Sequence, residues 1–271
     1  MCPKCFSEEY SKKGWLKNKK EPKPIRQYQC KVCKTRFSVN SLKDTFLQKK
    51  PQLNDMIMNL YCEGNTLRGI ARILKVNYQT VVKKWRFMAE KARIRHEVAL
   101  KQGEITTKYI QFDEMQTFEH TKEKPLGIEL SIRPKTGQIL SAKVCRIPIT
   151  ALTIAKSKAV EYNKKTDRKE AFYRMIAETK ECLDKGHSVL SCDGNREAVY
   201  MAKLMCPKSL IETHVNDYAG MWRLNHTCAK LRHHLSRLTR KTWATTKDRK
   251  YLQMHLDLFI AYQNKYQLFG S

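Results

Sequence analysis

The apolar residues between Leu53 and Trp85 recur at helical spacing in three short runs, and polar turns separate these runs. The first run is followed by Gly64–Thr66, which favours a turn and a helix cap, and Asn77 can cap the third run. The third run has a polar and basic side formed by Gln79, Thr80, Lys83, Lys84 and Arg86. Residues 49–95 therefore predict a helix-turn-helix domain whose last helix enters a DNA major groove. An ordinary three-helix bundle is the alternative.

Farther along the chain the pattern predicts strands. The stretch from Lys108 to Phe118 is aromatic and β-branched, and Gly127 to Cys145 has the pattern of a hairpin. The residues from Phe172 to Leu183 have helical spacing. After them the pattern predicts a strand at 187–194, a short helix at 198–204, an extended piece near 209–214 and a long helix at about 216–238. Three antiparallel strands followed by helix, strand and helix are the order of a ribonuclease H-like fold. We therefore expect an α/β domain of this class over residues 105–265.

Two of these strands end in acids. Asp113 follows Tyr109, Ile110 and Phe112, and Asp193 follows the apolar run before it. In the expected fold the first and fourth strands are neighbours, so both carboxylates can reach one divalent metal site. The alternative for either residue alone is that an aspartate at a strand end begins a turn.

The first 48 residues contain two CxxC pairs, Cys2 with Cys5 and Cys30 with Cys33. Two such pairs can supply four thiolates to one tetrahedral zinc ion, and we expect a zinc ribbon over residues 1–48. The segment between the pairs is too polar to form a core, so the metal would supply its folding free energy. A redox CxxC motif is the weaker alternative, because there are two pairs and no thioredoxin-like pattern surrounds them.

Charge changes the picture of the partner. The chain of 271 residues has 53 Lys and Arg against 26 Asp and Glu, a formal net charge of +27. This excess indicates a polyanion, and nucleic acid is the best candidate. The sequence has no apolar run of membrane-spanning length and no signal-peptide core, which argues against a membrane. The remaining six cysteines are scattered, so we expect a reducing, cytoplasmic and nucleoid-associated setting.

The last long helical run carries further candidates. Asn225 and Arg232 lie beside its apolar stripe, where Asn225 can offer a neutral oxygen ligand to Mg²⁺ and Arg232 can bind a phosphate. From composition alone, the favoured interpretation of Asn225 is a boundary residue that makes hydrogen bonds on the helix surface. Beyond this run, Arg237, Arg240 and Lys241 begin a basic tract near Trp222 and Trp243, which can follow a DNA end or simply form a solvated helix.

Taken together, these residues resemble the insertion-sequence-one family of bacterial transposases. The resemblance spans nearly the whole chain: the CxxC ribbon, the helix-turn-helix, Asp-Glu-Met at 113–115, Asp-Gly at 193–194 and LRHHLSRLTRKT at 231–242. It implies a DDE-type transposase that uses Mg²⁺ or Mn²⁺ and a structural Zn²⁺. Asp113 and Asp193 correspond to the family's first two acids, and Arg232 to the basic residue after its third.

The third acid falls on Asn225, where the family usually has Glu. Glu212 and Asp217 are nearby acids, but neither occupies the matching position. The resemblance implies binding to terminal inverted repeats in double-stranded DNA, strand cleavage and strand transfer by a homodimer or larger synaptic complex. Two alternatives stay open: a transposase-derived DNA-binding regulator that is inactive because of Asn225, and a ribonuclease H-like nuclease or resolvase.

Overall fold

The N-terminal residues form a three-stranded antiparallel sheet, β1 (Tyr10–Leu16), β2 (Ile25–Cys30) and β3 (Arg36–Ser38). Tyr28 stacks on Phe37, and Cys2 and Cys30 complete a very small core. The computed structural model describes residues 1–17, 23–46, 48–149, 162–163, 165–184, 188–239 and 245–269. They divide into two compact units, Met1–Leu53 with Phe269, and Asn54–Leu268.

Three helices open the larger unit, namely α1 (Leu53–Cys62), α2 (Leu67–Ile73) and α3 (Tyr78–Lys101). Thr66 caps α2 by accepting a hydrogen bond from the Gly69 amide, and Asn77 caps α3 by accepting one from the Gln79 amide. Gly64 has a φ of +88°, which glycine adopts without the steric cost of a side chain. The third helix does not end with the predicted domain at residue 95 but continues to Lys101, so it is 24 residues long.

A mixed sheet of five strands follows: β4 (Tyr109–Phe118), β5 (Pro125–Arg133), β6 (Gln138–Arg146), β7 (Val189–Cys192) and β8 (Leu210–Thr213). Their order is β6-β5-β4-β7-β8. The pairs β4–β5 and β5–β6 are antiparallel, whereas β4–β7 and β7–β8 are parallel. The predicted contact between the Asp113 strand and the strand leading to Asp193 is confirmed by the β4–β7 pairing.

Helices cover both faces of this sheet. On one face, α4 (Arg168–Glu181) and α5 (Arg196–Met205) pack over Ile110, Phe112 and Leu190. On the other face, α7 (Arg249–Gln263) packs against α3 and β6, and Gln253 accepts a hydrogen bond from the Val144 amide. Apolar burial on the two faces therefore fixes the sheet between two helical layers.

The remaining helix, α6 (Trp222–His234), begins six residues later than the pattern predicts. Asn216 has a φ of +56°, and Asp217 accepts a hydrogen bond from the Gly220 amide, so a turn occupies the expected first residues. None of the helices in the described part of the chain has the length and apolar character needed to cross a membrane.

Candidate active site and metal centre

Asp113 and Asp193 follow the paired stretch of two adjacent parallel strands. The prediction that the first of these strands ends at Asp113 is wrong, because β4 continues to Phe118 in its pairing with β5, whereas Asp193 comes directly after the last residue of β7. The last β4–β7 pair is Gln111 with Ser191, and Asp113 and Asp193 each come two residues later. Neighbouring strands are about 4.8 Å apart, so continuing this register sets the two aspartates side by side. Asp193 begins the turn before α5, since its Oδ1 accepts a hydrogen bond from the Asn195 amide.

The two carboxylates affect each other. Burial, followed by the charge of Asp193, raises the pKa of Asp113 to about 6, although the Glu114 amide donates a 2.7 Å hydrogen bond to it. Two like charges held together in this way favour a cation between them. Carboxylate oxygens are hard donors, the kind of ligand that Mg²⁺ and Mn²⁺ prefer.

A polar cavity of about 230 Å³ lies beside the pair. Its lining includes Asp113, Glu114, Glu129, Arg168, Asp193 and Asn195. Arg168 Nε is 2.6 Å from Glu114 Oε2 and 3.7 Å from Glu129 Oε1. Only 3% of Glu129 is exposed, and burial, together with the neighbouring Glu114, raises its pKa to about 8. Protonation of Glu129 would relieve the repulsion between these two acids.

Sequence reasoning did not single out Glu129 or Arg168. The signal for Glu129 was present, because it is the one charged residue inside an otherwise apolar or small strand run, LGIELSI. Its cross-strand partner is Glu114. Arg168 reaches both acids from the first turn of α4, and no local pattern encodes that contact.

Helix α6 passes alongside Asp113. Gln111 Nε2 donates a 2.7 Å hydrogen bond to the Gly220 carbonyl, and Gln111 Oε1 accepts one of 3.2 Å from the Leu224 amide. Burial, and then the charge of Asp113, raise the pKa of Cys228 to about 12, while Arg232 opposes this shift. The middle of α6 therefore lies within electrostatic range of Asp113.

Asn225 and Arg232 lie on either side of Cys228, one helical turn away in each direction. Asn225 is exposed and Arg232 is half-buried. Neither lines the polar cavity. The structure thus brings Asp113 and Asp193 together on two inner strands of the sheet. It places Asn225 and Arg232 on the adjacent helix, where they do not line the polar cavity.

The predicted DNA-contacting residues of α3 divide into two groups. Gln79, Lys83 and Arg86 are exposed, and Thr80 is half-buried. The prediction that Lys84 lies on this face is wrong: it is buried, and its Nζ donates a 2.8 Å hydrogen bond to Asn54 Oδ1. An ammonium group is tolerated there because α1 supplies it with an acceptor.

Two of the arginines predicted to contact DNA form hydrogen bonds within the protein. Arg86 donates to the Tyr251 hydroxyl at 3.0 Å, and its guanidinium lies over the same ring. Arg237 donates to the Thr245 carbonyl at 3.3 Å. Arg240, Lys241 and Trp243 fall outside the described residues.

The N-terminal unit contains a cysteine cluster. The ligand sulfurs of Cys2, Cys5, Cys30 and Cys33 all lie within 4.8 Å of one another. The distances are 3.6 Å for Cys2–Cys33 and 3.5 Å for Cys5–Cys30. A tetrahedral ion with metal–sulfur bonds of about 2.3 Å needs sulfurs about 3.8 Å apart, so the cluster can hold a structural metal such as zinc.

The thiols of this cluster differ in their proton affinities. The Thr35 hydroxyl, 3.2 Å from Cys33 Sγ, lowers the pKa of Cys33 to about 6. The Ser7 amide favours the thiolate of Cys5, but the nearby Cys33 and the other sulfurs outweigh it and raise the pKa of Cys5 to about 11. Four thiolates this close repel one another, and a cation removes that repulsion.

Comparison of the chain with protein-family models and with curated proteins finds no match.

Proposed function

We propose that this protein is a DNA transposase of the DDE type, with Asn225 as its third metal-binding residue. It would bind the terminal inverted repeats of a mobile element and catalyse metal-dependent strand cleavage and strand transfer. The observation that carries the proposal is the parallel pairing of β4 with β7, which aligns Asp113 with Asp193.

The sheet supports a ribonuclease H-like core. Its strand order is β6-β5-β4-β7-β8, and β5 alone among these five described strands runs against the others. The adjacent positions of β4 and β7 agree with the neighbouring first and fourth strands of the expected fold. The three-helix segment at 53–101 and the cysteine cluster match the expected recognition modules in order and position.

In this proposal the reacting phosphodiester binds beside Asp113 and Asp193. Asp113 and Asp193 would bind the cation, and the side-chain carbonyl of Asn225 would approach it from α6 as a neutral ligand. Bound Mg²⁺ or Mn²⁺ supplies an activated water and stabilises negative charge on the phosphate oxygens. Arg232, one turn beyond Cys228, would bind a neighbouring phosphate. The net charge of +27 would hold the remaining DNA backbone.

The test is cleavage of a labelled duplex that carries the inverted repeat flanking the coding sequence. We expect Mg²⁺- or Mn²⁺-dependent production of a 3′-hydroxyl end, followed by strand transfer. Asp193→Ala should abolish both steps and leave DNA binding intact. Asp184→Ala is the matched control, because Asp184 pairs only loosely with Lys108, at 3.8 Å. Cleavage that survives Asp193→Ala would refute the assignment.

The second candidate function is that of a transposase-derived DNA-binding regulator. It is favoured by Asn225, which is neutral, exposed and outside the lining of the acidic cavity. Specific binding of the inverted repeat with no cleavage under either metal would support the regulator over the enzyme.

A further inference from the structure

An aspartate–histidine pair, Asp217 and His214, lies in the loop between β8 and α6. His214 Nδ1 is 3.0 Å from Asp217 Oδ2, and Asp217 Oδ1 accepts a 3.0 Å hydrogen bond from the Gly220 amide. The side chain of His214 is 23% exposed. The imidazole is thus held by one carboxylate and is still accessible from solvent.

The His214–Asp217 pair lies close to Asp193 in the sheet. The His214 amide donates a 2.8 Å hydrogen bond to the Cys192 carbonyl, which continues the β7–β8 ladder by one step. Gln111, Ser191 and Glu212 form one row across β4, β7 and β8. The row two residues later is Asp113, Asp193 and His214. Asp193 and His214 come directly after the last residues of β7 and β8, so they are neighbours where these two parallel strands end.

Side-chain contacts agree with that alignment. Ser191 Oγ lies 3.3 Å from Glu212 Oε2, so the first row does share a face. Cys192 lies instead in the apolar core on the α4 side, as alternation requires. The spacing between strands places His214 about 5 Å from Asp193 and about 10 Å from Asp113 along the row.

Gly220 fixes the position of the imidazole. A Cβ added at Gly220 would come within 2.1 Å of His214 Nδ1 and 2.5 Å of Asp217 Oδ2. The Gly220 carbonyl accepts the hydrogen bond from Gln111, two residues before Asp113 on the same face. The backbone at Gly220 therefore contacts both the His214–Asp217 pair and, through Gln111, the strand that carries Asp113.

The hydrogen bonds also select a tautomer. Asp217 is ionised, because the Gly220 amide and then His214 lower its pKa. A carboxylate can only accept, so the neutral imidazole carries its proton on Nδ1 and keeps a lone pair on Nε2. The nearest acid described for Nε2 is Glu212, at 3.9 Å, too far for a hydrogen bond.

We infer that His214, oriented by Asp217, is a catalytic residue that accepts the proton of the attacking water during strand cleavage. This inference rests on the transposase function proposed above. In the step, the water oxygen bonds to phosphorus while one water proton moves to His214 Nε2. The bond from phosphorus to the 3′ oxygen breaks, its electron pair stays on that oxygen, and solvent protonates it. The imidazolium then returns its proton to solvent.

The first test compares single-turnover cleavage rates of the full-length protein, loaded with Mg²⁺, on the labelled inverted-repeat duplex. General-base catalysis contributes about 10²–10⁴-fold, so His214→Gln should be slower by about that factor. Asp217→Asn should lose less, and Gly220→Ala should also be slow because its methyl group displaces the ring. Duplex affinity and Tm should stay near the wild-type values for His214→Gln. The matched controls His233→Gln and Asp184→Asn change exposed residues elsewhere and should cleave normally.

A second substrate separates a base from an acid. With sulfur in place of the bridging 3′ oxygen, the leaving group needs no proton, so the defect of His214→Gln should persist if the residue acts on water. Restoration of the wild-type rate by sulfur would overturn the inference, as would equal rates of His214→Gln and wild type on the oxygen substrate. In both cases the proposed function would stand.

A readout independent of activity comes from ¹⁵N NMR of the imidazole in metal-free, DNA-free protein. We expect the Nδ1–H tautomer of His214 in wild type and a change in its nitrogen shifts in Asp217→Asn but not in Asp184→Asn. An Nε2–H tautomer in wild type would overturn the inference. Wild-type protein that binds the repeat but cleaves it under neither metal would overturn both this inference and the proposed function.

Discussion

The side-chain amide of Gln111 donates a 2.7 Å hydrogen bond to the carbonyl oxygen of Gly220, although 109 residues separate them in the sequence. The same side chain accepts a hydrogen bond from the Leu224 amide. One buried glutamine therefore connects the strand of Asp113 to the start of the helix that carries Asn225. In a transposase of the proposed kind, the relative position of those two residues would depend on it.

Replacing Gln111 tests this connection. Gln111→Met keeps most of the side-chain volume but leaves the Gly220 carbonyl and the Leu224 amide without their partner. We expect a loss of about 1–3 kcal/mol in the free energy of unfolding, measured by urea denaturation. Cleavage should fall by more than this loss of stability explains, because α6 is no longer fixed to β4. Gln102→Met, on the surface at the end of α3, should be neutral in both assays. An unchanged unfolding curve for Gln111→Met would contradict the structural role.

Neighbouring lysines on α3 should behave differently. Lys84→Ala removes the buried hydrogen bond to Asn54, so we expect it to destabilise the protein by about 1–3 kcal/mol. Lys83→Ala changes an exposed residue and should alter stability by less than about 0.5 kcal/mol. If Lys83 contacts a phosphate, its removal should weaken DNA binding. The slope of the logarithm of the DNA-binding constant against the logarithm of salt concentration should then fall in magnitude by about 1. Thermal unfolding and salt-dependent fluorescence anisotropy check both; equal Tm losses for the two variants would refute the distinction.

The sequence predicted some of these features because short-range patterns encode them. Two CxxC pairs predicted the four-cysteine cluster, and apolar runs that end in acids predicted the pairing of β4 with β7. Even the burial of Lys84 had a signal. It lies three residues after Val81 and four before Met88, both of which are fully buried, so it belongs to the inward stripe of α3. Its charge suggested exposure, but Asn54 on α1 supplies the acceptor.

Other features depend on contacts between distant segments. Helix α7 begins with the basic residues Arg249 and Lys250, yet its later residues, such as Leu256 and Phe259, are buried within the larger unit. The ion pair of Arg168 with Glu114 joins α4 to β4 across 54 residues. The geometry of His214 requires a turn, a strand end and Gly220 together. Periodicity cannot predict such pairs, because it describes one element at a time.

The cysteine cluster predicts one bound zinc per chain. Cys33→Ser should lose that zinc and unfold the N-terminal unit, since metal binding supplies most of the folding free energy in so small a core. Metal analysis and the near-ultraviolet circular dichroism of Tyr10 and Tyr28 measure this. Zinc affinity should also fall as the pH is lowered, because protons compete with the metal for the four sulfurs, first of all for Cys5, whose pKa is raised. Cys206→Ala, a buried cysteine of the larger unit, should keep its zinc; full occupancy in Cys33→Ser would contradict a four-sulfur site.

Glu129 makes stability depend on pH. Its pKa is raised to about 8 in the folded protein from 4.5, so the folded state binds more protons between these values. Stability therefore falls as pH rises from about 4.5 to 8 and levels off above that range. Glu129→Gln resembles the protonated form at every pH. We expect its Tm to lie near that of wild type at pH 5 and to exceed it at pH 8, where a pKa shift of this size corresponds to about 3–4 kcal/mol.

The measurement for Glu129 is differential scanning calorimetry in metal-free buffer at several pH values. Asp113 contributes a fall of the same sign, since its pKa is also raised, so the wild-type slope should be reduced in Glu129→Gln and not abolished. Glu170→Gln is the matched control, because Glu170 is exposed and pairs with Arg174 on the surface of α4. A constant Tm difference between wild type and Glu129→Gln across the range would show that Glu129 does not titrate there.

Asn225 decides between an enzyme and a regulator. A neutral amide contributes one negative charge fewer than glutamate, so metal affinity at the Asp113–Asp193 edge should be low and Asn225→Glu should raise it. We expect Asn225→Glu to preserve or increase cleavage and Asn225→Ala to reduce it, with Mn²⁺ binding followed by isothermal titration calorimetry. Gln102→Glu adds the same charge far along α3 and should change neither property. If Asn225→Glu abolishes cleavage while Asn225→Ala does not, Asn225 is not a metal ligand. If neither wild type nor Asn225→Glu cleaves the repeat, missing charge at this position does not explain the inactivity.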